Sequence, residues 1–313
     1  MMDPDLLLDS SLREALRTVP PQECWNPGPM RASGAALLDA APADHSGVDL
    51  AVHHINDDAG LEVRVLTPAA SPRPHALILS VHGGGLVAGR ARYDDAWNAE
   101  ISRRTGAIVI SPEYRLAPEY PYPAALDDCL EAWTWALHEF NPSMSLIYGD
   151  SAGGNLAAGL ALRLRDQGAI GAVDALFLIE PVLDDRLDTP SMRAGINTPV
   201  WDLPNARASW AAYLGPGQAD RYAAPARATE LSGLPEVFLL VNQCDPLRDE
   251  GIRFAQNLTD SNVPTELAML AKSCHGVLGM AGVGIADRAR EMVLGKLRES
   301  LDTIRRRKGG IVD

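Results

Sequence analysis

Along the chain, stretches of nearly unbroken apolar residues alternate with stretches in which apolar positions return every three or four residues. The first kind, at 75–81, 107–111, 145–148, 175–179 and 237–241, predicts strands covered on both faces. The second kind predicts helices at 94–104, from Pro123 onward with Leu126, Leu130, Trp133 and Leu137 on one face, at 151–167 with Leu156, Leu160 and Leu164 in line, and at 249–258. Pro123 at the first helical position and Gly168 past a last turn supply a start and a stop. A further strand is predicted at 265–270, then a closing helix carrying Ile285, Val293, Leu297 and Leu301. Ahead of all these, a short helix with Leu12 and Leu16 one turn apart is stopped by Pro20-Pro21. Two strands at 48–55 and 61–66, the second alternating at Leu61, Val63 and Val65, flank the turn-forming Asn56-Asp57-Asp58-Ala59-Gly60 and predict an antiparallel start to the sheet.

Strands alternating with helices predict an α/β fold, a mostly parallel central sheet with helices on both faces. Between 184 and 225 the alternation lapses into Pro, Gly and the aromatics Trp201, Trp210, Tyr213 and Tyr222, over a stretch longer than an ordinary loop. The predicted organisation is an N-terminal segment at 1–45, a first part of the core at 46–183, a helical cap insertion at 184–225 and a second part of the core at 226–313.

Composition narrows the field. With 46% hydrophobic and 22% charged residues, the 313-residue chain is globular rather than disordered. A net charge of -13 disfavours nucleic acid or an anionic membrane as partner. Neither a signal-peptide pattern nor a membrane-length apolar run is legible, so a cytoplasmic protein is expected. Cys24, Cys129, Cys244 and Cys274 show no C-x-x-C and no ligand-like spacing with the seven histidines, so no metal is expected and reduced thiols fit best.

Chemistry enters at Gly149-Asp150-Ser151-Ala152-Gly153, where an apolar strand turns at once into a small-residue helix. This is the G-x-S-x-G elbow, in which glycines let strand and helix approach while a strained serine projects its hydroxyl. Functional groups of a parallel sheet gather beyond the carboxyl ends of its strands. His82-Gly83-Gly84-Gly85, Ser151, Asp245 and His275 all fall there, and the order Ser, Asp, His is that of a nucleophile, acid and base. Ser151, Asp245 and His275 are therefore the candidate catalytic residues, with Gly84, Gly85 and Ala152 supplying amides to an oxyanion. Asp245 is preferred because it is the first carboxylate after its strand and precedes Pro246. Asp249 and Glu250 are expected to serve the positive end of the next helix, Glu180 to be the weaker rival for the acid and a buried hydrogen-bonding residue near the edge, and His82 to organise its loop. Cys244 and Cys274 each precede a candidate, which suggests a redox link between their loops.

The motifs His82-Gly83-Gly84-Gly85, Tyr114 to Glu119, Gly149 to Asn155, Asp245 to Gly251 and His275-Gly276 together resemble the hormone-sensitive-lipase-like esterases of the α/β-hydrolase superfamily. Three further segments, at 180–192, 201–214 and 222–234, are similar to the subgroup that contains bacterial heroin esterase. The resemblance implies the α/β-hydrolase fold, a cap built from the N-terminal cap segment at 1–45 and the insertion at 184–225, short-acyl ester substrates, no cofactor, and a homodimer as an assembly it allows. Leu86 and Val277 depart from the aromatic residues common at those positions and would reshape the acyl pocket. Hydrolysis of a small-molecule ester through an acyl-serine is the leading expectation. A non-catalytic small-ligand receptor on the same scaffold, or an amidase or lactonase using the same three residues, stays open at this point.

Overall fold

The computed structural model describes residues 7–17, 27–32, 43–55, 60–70, 76–195 and 198–309. Pro20-Pro21, Cys24, residues 56–59 and His75, all named in the expectations above, lie outside them.

Eight strands form one sheet in the order β1-β2-β4-β3-β5-β6-β7-β8. They are β1 (Val48–His54), β2 (Glu62–Pro68), β3 (Ala76–Val81), β4 (Ile108–Pro112), β5 (Met144–Asp150), β6 (Ala175–Ile179), β7 (Glu236–Asn242) and β8 (Thr265–Leu270). β1 pairs antiparallel with β2, and β2 with β4; every other neighbour is parallel. This is the expected mostly parallel α/β sheet.

Every residue of β3 is buried, and its side chains alternate between two apolar layers: Leu77, Leu79 and Val81 face one, Ala76 and Ile78 the other. On the first layer lie α3 (Ala124–Phe140), α4 (Ala152–Asp166) and α7 (Arg248–Asp260), through Trp133, Leu156 and Phe254. The opposite layer is covered by α1 (Ser10–Leu16), α2 (Asp95–Thr105) and α8 (Gly284–Gly309), through Leu12, Ile101 and Val293. Both faces thus need apolar residues, which is why the core strands lack polar alternation. The stretch between β6 and β7 holds two more helices, α5 (Pro190–Ala194) and α6 (Leu203–Leu214).

Pro123 differs from expectation, since it caps α3 rather than opening it. Its φ of -99° lies outside the helical range, and its carbonyl accepts the first helical bond, from Asp127 at 2.9 Å. Past α4, Gly168 takes φ 73° and its amide donates to Arg165 at 2.9 Å, the left-handed stop the sequence predicts. Among the described residues, no helix is long and apolar enough to cross a membrane.

Register decides where the site forms. Val81 pairs with Gly149, Asp150 with Ile179, Ile179 with Leu240, and Asn242 with Leu270. The carboxyl ends of β3, β5, β6, β7 and β8 therefore finish near one line, and the loops carrying the candidate residues leave from that line.

Candidate active site

β5 delivers Ser151 onto a turn with φ 55° and ψ -114°, a backbone region costly to a residue with a side chain. Hydrogen bonds hold the strain: the Ser151 amide donates to Ile179 at 2.8 Å, and its carbonyl accepts from Val182 at 3.1 Å. The flanking glycines are sterically required. A Cβ on Gly149 would lie 2.1 Å from the carbonyl oxygen of Gly153, and one on Gly153 1.9 Å from that of Val81.

His275, from the loop after β8, places Nε2 2.8 Å from Ser151 Oγ. Its Nδ1 lies 2.8 Å from Asp245 Oδ2, in the loop after β7. Asp245 is itself fixed, its Oδ1 accepting from the Leu247 amide at 2.9 Å. All three side chains are buried. A carboxylate can only accept, so in the neutral imidazole, the form that acts as base, Nδ1 carries the proton and Nε2 is left to accept from the serine hydroxyl. This arrangement can remove the hydroxyl proton as oxygen attacks an electrophile.

In the loop after β3, Gly84 and Gly85 take φ 121° and 60°, turning the chain so that the Gly84 carbonyl accepts from Val87 and Ala88. The amides of Gly84, Gly85 and Ala152 have no hydrogen-bond partner among the described residues. Ala152 opens α4, whose N-terminal end carries partial positive charge. His82 behaves as a loop organiser: its Nδ1–H donates to the Gly83 carbonyl at 2.8 Å, and its ring stacks on Tyr114 at 4.0 Å. Burial pulls its pKa down to about 4, which keeps it neutral.

Glu180, the weaker rival of Asp245 for the acid role, is buried and hydrogen-bonded at this edge as expected. Its Oε1 lies 3.8 Å from His275 Nδ1 and accepts from the Gly276 amide at 2.6 Å, while Oε2 accepts from Asn242 Nδ2. Glu180, Asp245 and His275 bring ligand-type atoms within 4.8 Å of one another, and the hydrogen bonds just given account for those atoms. Burial lowers the affinity of His275 for a proton, but Glu180 and then Asp245 outweigh it and raise the pKa above its ordinary value. Burial pushes Glu180 up as well, and Asp150 to about 7.

Asp249 and Glu250 do lie in the first turn of α7, but they do more than serve its positive end. Glu250 Oε1 accepts from the amides of Leu183 at 2.7 Å and Asp184 at 3.3 Å, and Asp249 Oδ2 from that of Ser191 at 2.8 Å. Both tie the stretch after β6 to α7, a contact across the fold that helix-end logic does not anticipate.

Cys244 and Cys274 do belong to adjoining loops, the Cys244 amide donating to Ser273 at 2.8 Å. Both are free, and burial pushes both thiols up, away from the reactive thiolate.

Sequence reasoning misses three residues around the site. The Trp201 ring lies 5.9 Å from that of His275. Ser209 on α6 donates to the Gly85 carbonyl. Arg31 donates from Nε to the Val87 carbonyl at 2.8 Å and from Nη2 to that of Ala117 at 2.9 Å. Trp201 stands out along the chain only as an aromatic; Ser209 and Arg31 carry no local signal.

Residues 78–279 match the family model described as the alpha/beta hydrolase fold. The chain is 36% identical to esterase LipI of Mycobacterium tuberculosis over 249 residues, 75% of this chain and 76% of that protein. It is 29% identical to ethyl acetate hydrolase of Pseudomonas putida over 234 residues, 72% of this chain and 74% of that one. Among solved structures it is similar to bacterial heroin esterase, with a TM-score of 0.89 and 36% identity, covering 96% of this chain and 99% of the other. With more than half of its length matched, the eight-stranded sheet in place and esterases as its relatives, the chain belongs to the α/β-hydrolase fold family, on its hormone-sensitive-lipase-like esterase branch.

Proposed function

We propose that the chain is a serine carboxylesterase that hydrolyses small, short-chain acyl esters through an acyl-serine intermediate. The observation that carries this is the continuous relay from Asp245 to His275 to Ser151, with 2.8 Å at each link. In the proposed reaction His275 Nε2 takes the hydroxyl proton as Ser151 Oγ attacks the ester carbonyl. The tetrahedral oxyanion is met by the amides of Gly84, Gly85 and Ala152. Its collapse expels the alcohol, which leaves with the proton held by His275. Water, activated by the same imidazole, then attacks the acyl-serine and regenerates the hydroxyl.

The short-acyl preference is supported by the activities for which two relatives are named, an ethyl acetate hydrolase and a heroin esterase. In this reading the N-terminal segment at 1–45 and the insertion at 184–225 act as a cap over the core parts at 46–183 and 226–313. A cytoplasmic setting is supported by the free thiols of Cys129, Cys244 and Cys274.

The test is turnover of p-nitrophenyl esters from acetate to decanoate. A burst of p-nitrophenol on acetate, loss of turnover in Ser151→Ala, and a fall with chain length are expected. Normal turnover by Ser151→Ala would sink the assignment, and a preference for decanoate would overturn the short-acyl part.

A further inference from the structure

Three neighbouring strands bring carboxyl groups to one edge of the sheet: Asp150 ends β5, Glu180 follows β6 and Asp245 follows β7. Asp245 makes the direct hydrogen bond to Nδ1. We propose that Glu180 is a positioning residue for the base, bracing the His275 loop on both sides and adding a second counter-charge beside Nδ1.

The bracing is direct on one side and relayed on the other. After His275, the Gly276 amide donates to Glu180 Oε1 at 2.6 Å. Before it, Glu180 Oε2 accepts from Asn242 Nδ2, and Asn242 Oδ1 accepts from Ser273 Oγ at 2.7 Å. A carboxylate can only accept, so the Asn242 nitrogen faces Glu180 and its oxygen faces Ser273 Oγ, which also lies 2.7 Å from the Leu270 carbonyl. One carboxyl group therefore pins residues 273 and 276, and the imidazole between them keeps its line to Ser151.

Backbone geometry supports a selected role. Glu180 takes φ 38°, a left-handed conformation that costs a non-glycine residue and persists only when its surroundings enforce it. Its amide donates to Leu240 at 2.7 Å, which fixes the turn so that the side chain crosses β7 toward Gly276. Burial pushes the Glu180 pKa up, while the His275 imidazolium and the Gly276 amide pull it back toward the carboxylate, the form that a donor on each oxygen matches. At 3.8 Å, Oε1 leaves the Nδ1 proton to Asp245 but is close enough to stabilise the imidazolium that forms during attack. The titratable groups acting on His275 are Glu180, Asp245 and Asp150, with Asp94 acting in turn on Asp150, and Asp150 and Glu180 share a hydrogen bond that takes one proton between them. All are carboxyls, so removing the share of negative charge that Glu180 holds should make the imidazole less basic.

The kinetic consequence rests on the esterase reading, so the experiment pairs a kinetic measurement with one that needs no turnover. Wild type, Glu180→Gln and Glu180→Asp are compared by the pH dependence of kcat/KM on p-nitrophenyl acetate and by NMR titration of the His275 Nδ1 proton without substrate. For Glu180→Gln, the acid limb and the His275 titration are both expected to move to lower pH by about one pH unit. Its kcat should fall about tenfold with KM nearly unchanged. Glu180→Asp, which keeps the charge, should titrate nearer wild type. Coincident His275 titrations in wild type and Glu180→Gln would overturn the proposal, as would coincident Gln and Asp variants. If no variant or wild type hydrolyses ester, the esterase reading fails and the NMR titration still decides the role of Glu180.

Discussion

Ser209 Oγ, on α6, donates a hydrogen bond to the carbonyl of Gly85, 124 positions earlier in the chain. The inserted stretch is therefore fastened to the glycine loop whose amides are proposed to receive the oxyanion. From the other side, Arg31 fastens the N-terminal segment to the same loop at the Val87 carbonyl. Loop geometry thus depends on two segments that lie outside the alternating strands and helices.

Ser209→Ala leaves the buried Gly85 carbonyl without its donor, a cost of about 1–3 kcal/mol. The expected outcome is a kcat reduced several-fold with Ser151 reactivity toward a phosphonate probe retained. Kinetics indistinguishable from wild type would show that the loop holds its shape unaided.

Arg31 also pairs with Glu119 at 2.9 Å, at an exposed position. An exposed pair contributes little to global stability, so Arg31→Ala should leave the melting temperature nearly unchanged while raising KM. A large fall in melting temperature would instead make the arginine part of the stabilising framework.

Asp245→Asn preserves shape but lets Nδ1 become the acceptor, turning the imidazole to the wrong tautomer. By analogy with other Ser-His-Asp sites, kcat/KM should fall by about three to four orders of magnitude. Retention of a tenth of the activity would shift the acid role to Glu180, which also faces His275 Nδ1.

Two glycines should respond oppositely to alanine. In Gly153→Ala the new Cβ meets the Val81 carbonyl oxygen at 1.9 Å, a backbone atom that cannot swing aside, so stability should drop by about 1–3 kcal/mol or more and activity with it. Gly295 lies within α8, with nothing within 4 Å of the place a methyl group would take. Gly295→Ala should gain about 0.5–1 kcal/mol, visible as a small rise in melting temperature with activity intact.

The raised pKa of His275 has a sign that can be checked. Folding then favours the imidazolium, so this contribution is complete below the unfolded value of about 6.5 and is lost as pH rises toward the raised folded value. The melting temperature should therefore decline with pH above about 6.5, and less steeply in His275→Gln. Parallel curves for the two proteins would remove His275 as the source.

What the sequence determines by itself is local and steric. A strand that must meet a helix within five residues needs glycines at 149 and 153, and the clashes at 2.1 and 1.9 Å are the reason the pentapeptide is legible. The strand ends are legible too, because burial on both faces leaves unbroken apolar runs, and those ends bring Ser151, Asp245 and His275 to one edge. Tertiary structure alone decides which polar groups meet across that edge. Sheet register sets Glu180 beside Gly276, 96 positions away, and Asn242 beside Ser273. Packing of the insertion on α7 turns Glu250 from a helix-end acid into the acceptor for Leu183 and Asp184. Such pairings depend on distances between strands and loops that no local pattern encodes, since a hydrogen bond needs proximity within about 3 Å whatever the separation along the chain.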